Sequence, residues 1–150
     1  MISHDTVKDA MLRAIEETFL NMAFLDVMPS QSREISPKVS QLIYIDITRP
    51  VRGMLLLYLP LELKQKIAET IHSGSWEDLT PRQIDDCLLE VLNVLAGNFL
   101  LELLGQNTKY NISFPQIVFD EEEFEHTEDF HDFFFDAEGN IFQASVRLEE

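Results

Sequence analysis

Glu90 and Asn93 are a carboxylate and a carboxamide three residues apart, within the stretch TPRQIDDCLLEVLNVLAGNFLLELLG at 80–105. At helical spacing such neighbours stand about 5–6 Å apart between Cβ atoms and can act together by positioning and charge. On a helix Asp86, Glu90, Asn93 and Gly97 stack along one side, while Ile84, Cys87, Leu88, Val91, Leu92, Leu95 and Phe99 form the apolar side. An exposed helix face is ordinarily polar, which accounts for Glu90. It accounts less well for Asn93, because Asn competes for its own backbone, or for Gly97, which costs about 1 kcal/mol against Ala in mid-helix. Two locally unfavourable residues on one face suggest a place where something approaches closely.

The helix that must hold these residues has clear ends. Thr80, then Pro81, then Gln83 three residues after the Thr, supply a hydroxyl cap, a ring-fixed first position and an amide reaching back to the cap. Gly105 is a natural stop.

The segment DDCLLEVLNVLAGN resembles the signature helix of the CheC/CheX/FliY family of bacterial chemotaxis phosphatases. That pattern is Asp or Ser, Glu four residues on, Asn three further, often a Gly-Asn pair, and a Pro a little over twenty residues later. Asp86, Glu90, Asn93, Gly97 with Asn98, and Pro115 occupy those positions, the Pro one residue short of the usual spacing. The resemblance implies dephosphorylation of a phospho-aspartyl, CheY-like response regulator in chemotaxis or related two-component signalling. It assigns Asn93 to orienting the attacking water and Glu90 to the regulator's active-site lysine. Asp86, Gly97 and Asn98 become partner-binding positions, Gly97 relieving crowding where backbones meet. Mg²⁺ comes with the regulator, and the protein needs no cofactor or metal of its own. A homodimer joined through sheet edges is also implied.

Composition fits that setting. With 45% hydrophobic residues the 150-residue chain suffices for one domain over its whole length with a real core. Twenty-seven acidic residues against 11 basic give a net charge of −16, repelled by nucleic-acid backbones and anionic lipid. No basic start with a continuous apolar core opens the chain and no run reaches 18 uninterrupted apolar residues, so a cytoplasmic protein is expected. The single Cys87 lies on the apolar side of its helix and reads as packing. His126 and His131, with Glu122, Glu125 and Asp132, have the residue types of a metal site but sit in an acidic run at 120–132 that offers no frame. That run reads as a solvated loop anchored by Phe124 and Phe130, and Trp76 as a corner-packing residue. No Gly-rich phosphate loop, zinc pair or nucleophilic set is present.

Around the central helix the pattern predicts an amphipathic helix from Asp5, its cap, to about Leu25, and a short edge strand at Leu25 to Met28. A hairpin follows at Val39 to Thr48 and Met54 to Leu59, then a helix from Leu61 to about Ser73 with a stripe of Leu63, Ile67, Ala68 and Ile71. Beyond Gly105 comes a strand at Tyr110 to Phe119, edged or interrupted by Pro115. A Phe-rich hairpin at His131 to Asp136 and Ile141 to Leu148 turns at Ala137-Glu138-Gly139-Asn140.

The order contains one unit twice, a long helix, an extended segment and a hairpin. Two such halves can pool their strands, giving an α/β (α+β) fold: a CheC-like pseudo-twofold duplication with one mainly antiparallel sheet and two long helices packed on it. In the first helix Ala14, Thr18 and Asn21 stand at the motif positions, so only the second copy is intact, as in CheX-like members. The alternatives are a non-catalytic regulator-binding or flagellar-switch adaptor, and an unrelated dimeric α/β domain.

Overall fold

The computed structural model describes residues 2–33, 40–119 and 127–149. The first helix, α1 (His4–Ala23), is capped by the Ser3 side chain, which accepts from the Thr6 N–H at 3.2 Å. Ser3, not Asp5, is therefore the cap, and Asp5 lies in the first turn, where its charge suits the helix dipole. The helix ends at Phe24 in the left-handed conformation, and β1 (Val27–Pro29) follows at once.

The first hairpin joins β2 (Ser40–Arg49) to β3 (Arg52–Pro60). Pro60 opens α2 (Leu61–His72), which buries Leu63, Ile67 and Ala68 and leaves Ile71 only partly covered. A single 3₁₀ turn at Trp76–Asp78 leads to α3 (Pro81–Leu104). Trp76 packs partly buried on the core, and its backbone N–H donates to Glu69 Oε2 at 3.0 Å. The extended stretch after α3 is two pieces, β4 (Asn111–Ile112) and β5 (Gln116–Val118), with Pro115 in the break. The last hairpin is β6 (His131–Ala137) and β7 (Asn140–Glu149). Its two-residue turn has positive φ at both Glu138 and Gly139, the mirror-type geometry that matches strand twist.

The seven strands among the described residues form one antiparallel sheet in the order β1-β6-β7-β3-β2-β4, with β5 also on β2. The two hairpins meet at β3 and β7 in the middle. Each half then sends its opening strand to the far side of the other half's hairpin: β1 pairs with β6, and β4 and β5 pair with β2. Where the hairpins meet, the position of a Cβ on Gly53 is filled by the Arg147 carbonyl oxygen, so only glycine fits.

The three helices cover one face. Strand alternation sends Ile43, Ile45, Ile47, Leu55, Leu57, Phe133, Phe135, Phe142, Ala144 and Val146 under them, where they meet Met11, Ile15, Phe19, Leu88, Leu92, Leu95 and Phe99. On the other face a smaller cluster gathers Leu42, Leu56 and Phe130, so Phe130 does anchor its loop. Phe124 lies outside the described residues. The helix α3 is long and apolar enough to cross a membrane by length and composition alone, but its apolar side is spent on the sheet and on α1.

Candidate functional site

The α3 start follows from its sequence. The Gln83 N–H donates to Thr80 Oγ1 at 3.1 Å, and the Thr80 N–H donates to Gln83 Oε1 at 2.9 Å, a reciprocal capping box with Pro81 in the first turn. This fixes the helix rotation, and all seven residues expected on its apolar side are buried. The opposite side carries Asp86 and Glu90, both exposed, and then Asn93, partly covered. Asp86 faces Arg82 at 3.8 Å, a weak surface pair. Among the described residues neither Glu90 nor Asn93 makes a hydrogen bond or ion pair, so both side chains are free to engage an incoming group.

The stripe does not continue as the helical period alone suggests. Gly97 points the same way as Glu90, yet it is buried: the chain returning from α3 to β4 lays Tyr110 across that turn. A Cβ there would stand 2.5 Å from Tyr110 Oη. In the protein by itself Gly97 therefore makes room for Tyr110 of its own chain. Asn98 is also turned inward, its Nδ2 donating to the buried Thr18 Oγ1 on α1 at 3.0 Å. The open polar surface is Asp86, Glu90 and Asn93.

Thr18 meets Asn98, and Arg13 faces Glu102 at 3.8 Å, so α1 and α3 run antiparallel. Five residues back along α3 and five on along α1, at about 1.5 Å each, Asn93 comes level with the last turn of α1. Leu20 and Phe24 end that helix with half and three quarters of their surface exposed, 51% and 76%. Both leave apolar surface open at that level of the helix pair. Sequence reasoning missed them because both are ordinary apolar residues on an amphipathic helix; the signal was their position just outside the buried stripe Ala14, Ile15, Thr18 and Phe19.

Burial pushes the Cys87 thiol up to about 11, so it is protonated at neutral pH and acts as packing. His126, Glu122 and Glu125 lie outside the described residues, and His131 and Asp132 belong to β6 rather than to a loop. His131 Nδ1 instead contacts His4 Nδ1 at 2.7 Å. No cluster of three or more possible ligands occurs among the described residues.

Two interleaved helix–strand–hairpin halves, with an Asp–Glu–Asn helix face in the second half only, define a duplicated α+β fold built to present one helix. A family model described as "Chemotaxis phosphatase CheX" matches residues 42–138, and the chain belongs to that family. The crystal structure of a chemotaxis protein CheX from Desulfovibrio desulfuricans is similar with a TM-score of 0.75 at 15% identity, over 95% of this chain and 99% of that one. A chain of the CheX–CheY–BeF3–Mg²⁺ complex from Borrelia burgdorferi matches with a TM-score of 0.72 at 16% identity, over 100% of both chains. FliY from Thermotoga maritima matches at 0.59 and 21% identity, over 91% of this chain and 83% of that one. At these identities the likeness concerns the fold. A search of curated proteins finds no match to the sequence.

Proposed function

We propose that this protein is a phosphatase for a phosphorylated CheY-like response regulator, acting in the cytoplasm in chemotaxis or related two-component signalling. The observation that carries the proposal is the pair Glu90, exposed, and Asn93, partly exposed, held at fixed helical spacing and without partners among the described residues. Membership in a family described as chemotaxis phosphatases supports it, as does a relative of the same fold crystallised with CheY.

Hydrolysis of an aspartyl phosphate asks little covalent chemistry of a helper. The task is to hold a water in line with the leaving carboxylate and to let charge develop without reorganisation. Asn93 can accept from that water through its Oδ1 and donate through its Nδ2. A helix anchored on a sheet holds the amide more narrowly than a loop does. Glu90, one turn earlier, supplies a docking charge for the regulator's active-site lysine. Mg²⁺ belongs to the regulator, where it stabilises the phosphoryl oxygens; this chain contributes the amide and the carboxylate. Asp86 lies one further turn out and extends the acidic contact, and Leu20 and Phe24 supply apolar area beside it.

Asn93→Ala is expected to lower the acceleration of phosphate release by about 100-fold or more, while affinity for a regulator locked with BeF3⁻ changes little. Release measured with ³²P-labelled regulator and binding measured by calorimetry separate the two effects. Wild-type release rates from Asn93→Ala would remove the catalytic assignment. The second reading, a binding or flagellar-switch adaptor without turnover, is favoured by the likeness to FliY. It predicts phosphorylation-dependent binding with an unchanged phosphate lifetime. The protein is further proposed to be a homodimer, since among the described residues β1 and the β4–β5 side end the sheet with no further strand beside them.

A further inference from the structure

A turn at Gly105, whose φ is 110°, is closed by the Thr108 N–H donating to the Gly105 carbonyl at 3.1 Å, and the chain then runs back beside α3. Tyr110 comes to lie over Gly97, with its ring partly buried against the core. The atom nearest to where a Cβ on Gly97 would stand is the hydroxyl oxygen, at 2.5 Å, and the ring carbon Cζ follows at 3.3 Å. It is thus the hydroxyl more than the ring that requires glycine here. A phenylalanine over an alanine would leave only the looser carbon contact.

That hydroxyl has no hydrogen-bond partner among the described residues, and the one buried side-chain nitrogen or oxygen without a partner among them is Arg147 Nε. The Tyr110 hydroxyl is therefore open to solvent. A mid-helix glycine costs about 1 kcal/mol against alanine, and a tyrosine hydroxyl held against a core usually finds a partner. Here the fold accepts the glycine to place a hydroxyl that bonds to nothing among the described residues. Gly97 follows Asn93 by four residues, a spacing of about 5–6 Å between Cβ positions on one helix face. The hydroxyl over Gly97 accordingly stands about one turn from the Asn93 amide, on the side of α3 that carries Glu90.

We propose that Tyr110 is a further binding residue of this face, its hydroxyl donating to the phosphoryl group of the incoming regulator and so telling the phosphorylated form from the unphosphorylated one. The inference rests on the reading that the regulator docks at Glu90 and Asn93, and not on turnover. Asp86 and Glu90 repel a phosphoryl group, and Arg82 faces Asp86 at 3.8 Å. Neutral donors suit the incoming oxygens at this place. The Asn93 amide is one and the Tyr110 O–H is the other, and a hydrogen bond from either to an anionic oxygen is stronger than one between two neutral groups.

The test compares calorimetric affinities for one CheY-like regulator that binds the wild-type chain, taken alone and locked with BeF3⁻ and Mg²⁺. Wild type should prefer the locked form. Tyr110→Phe, which keeps the ring and removes only the hydroxyl, should lower that preference by about tenfold through the locked form alone. Misfolding would weaken both affinities alike, so the ratio isolates the hydroxyl. Tyr44→Phe is the control: its hydroxyl donates to Gln116 Oε1 at 3.0 Å on the other face of the sheet, and its loss should leave the ratio unchanged. The inference is overturned if Tyr110→Phe keeps the wild-type ratio, if Tyr44→Phe lowers it as much, or if wild type binds both forms equally. Phosphate release measured alongside separates the two readings. A ratio lowered by Tyr110→Phe in a protein that releases no phosphate overturns the phosphatase and upholds Tyr110, whereas release that depends on Asn93 with an unchanged ratio does the reverse.

Discussion

A Cβ at position 97 would stand 2.5 Å from Tyr110 Oη and 3.3 Å from its Cζ. Alanine would gain about 1 kcal/mol of helix propensity there, but displacing a packed ring costs about 1–3 kcal/mol. Gly97→Ala should therefore destabilise the protein by about 1 kcal/mol net. In a Tyr110→Phe background, which removes the nearest atom, most of that loss should disappear. Urea unfolding of the two single variants and the double variant gives the coupling directly. If Gly97 served only an incoming partner, Gly97→Ala would stabilise the free protein by about 1 kcal/mol.

The start of α1 is tied to β6 by His4 and His131, whose Nδ1 atoms are 2.7 Å apart and whose rings stack at 5.0 Å. One nitrogen must donate and the other accept, so the contact requires at least one neutral ring. Burial lowers the His131 pKa below 6.5, the His4 charge lowers it further, and Asp132 opposes both. A histidine whose folded pKa is depressed contributes stability above its unfolded pKa, and this is lost as pH falls through 6.5 toward the folded value. The urea midpoint should drop over that window, and His131→Gln should flatten this part of the profile. A midpoint equally steep in His131→Gln would place the titration elsewhere.

At the scale of the whole molecule, a net charge of −16 opposes any pairing of two copies, while the sheet edges favour it. Phe114 and Phe119, 90% and 91% exposed on either side of β5, add apolar area to one of those edges. The proposed homodimer should therefore depend on salt: light scattering should give a larger dimer fraction at about 150 mM than at about 10 mM ionic strength, where charges are screened over about 8 Å instead of about 30 Å. A monomer mass at both, up to the concentrations used for activity, would exclude it. In the proposed complex, where the Asp86, Glu90 and Asn93 surface faces the regulator, the same charge would favour a partner with a basic surface.

The sequence by itself determined the features that depend on local geometry. Thr80, Pro81 and Gln83 cap α3 through contacts within one turn, and the 3.6-residue period puts Ile84 to Phe99 inside and Glu90 outside whatever α3 packs against. The hairpin turn at Glu138-Gly139 follows from the same kind of short-range chemistry. The tertiary structure decided what depends on residues far apart in the chain. Which strand neighbours which is set by pooling two half-sheets, so β1 crosses to β6 and β4 and β5 to β2. Tyr110 covers Gly97 and Thr18 captures Asn98 because the return loop and α1 pack on α3, and those contacts shorten the polar stripe that the period drew. The antiparallel register of α1 and α3 brings Leu20 and Phe24 level with Asn93. Periodicity fixes the direction in which a side chain leaves its own helix, but only packing decides what stands in front of it.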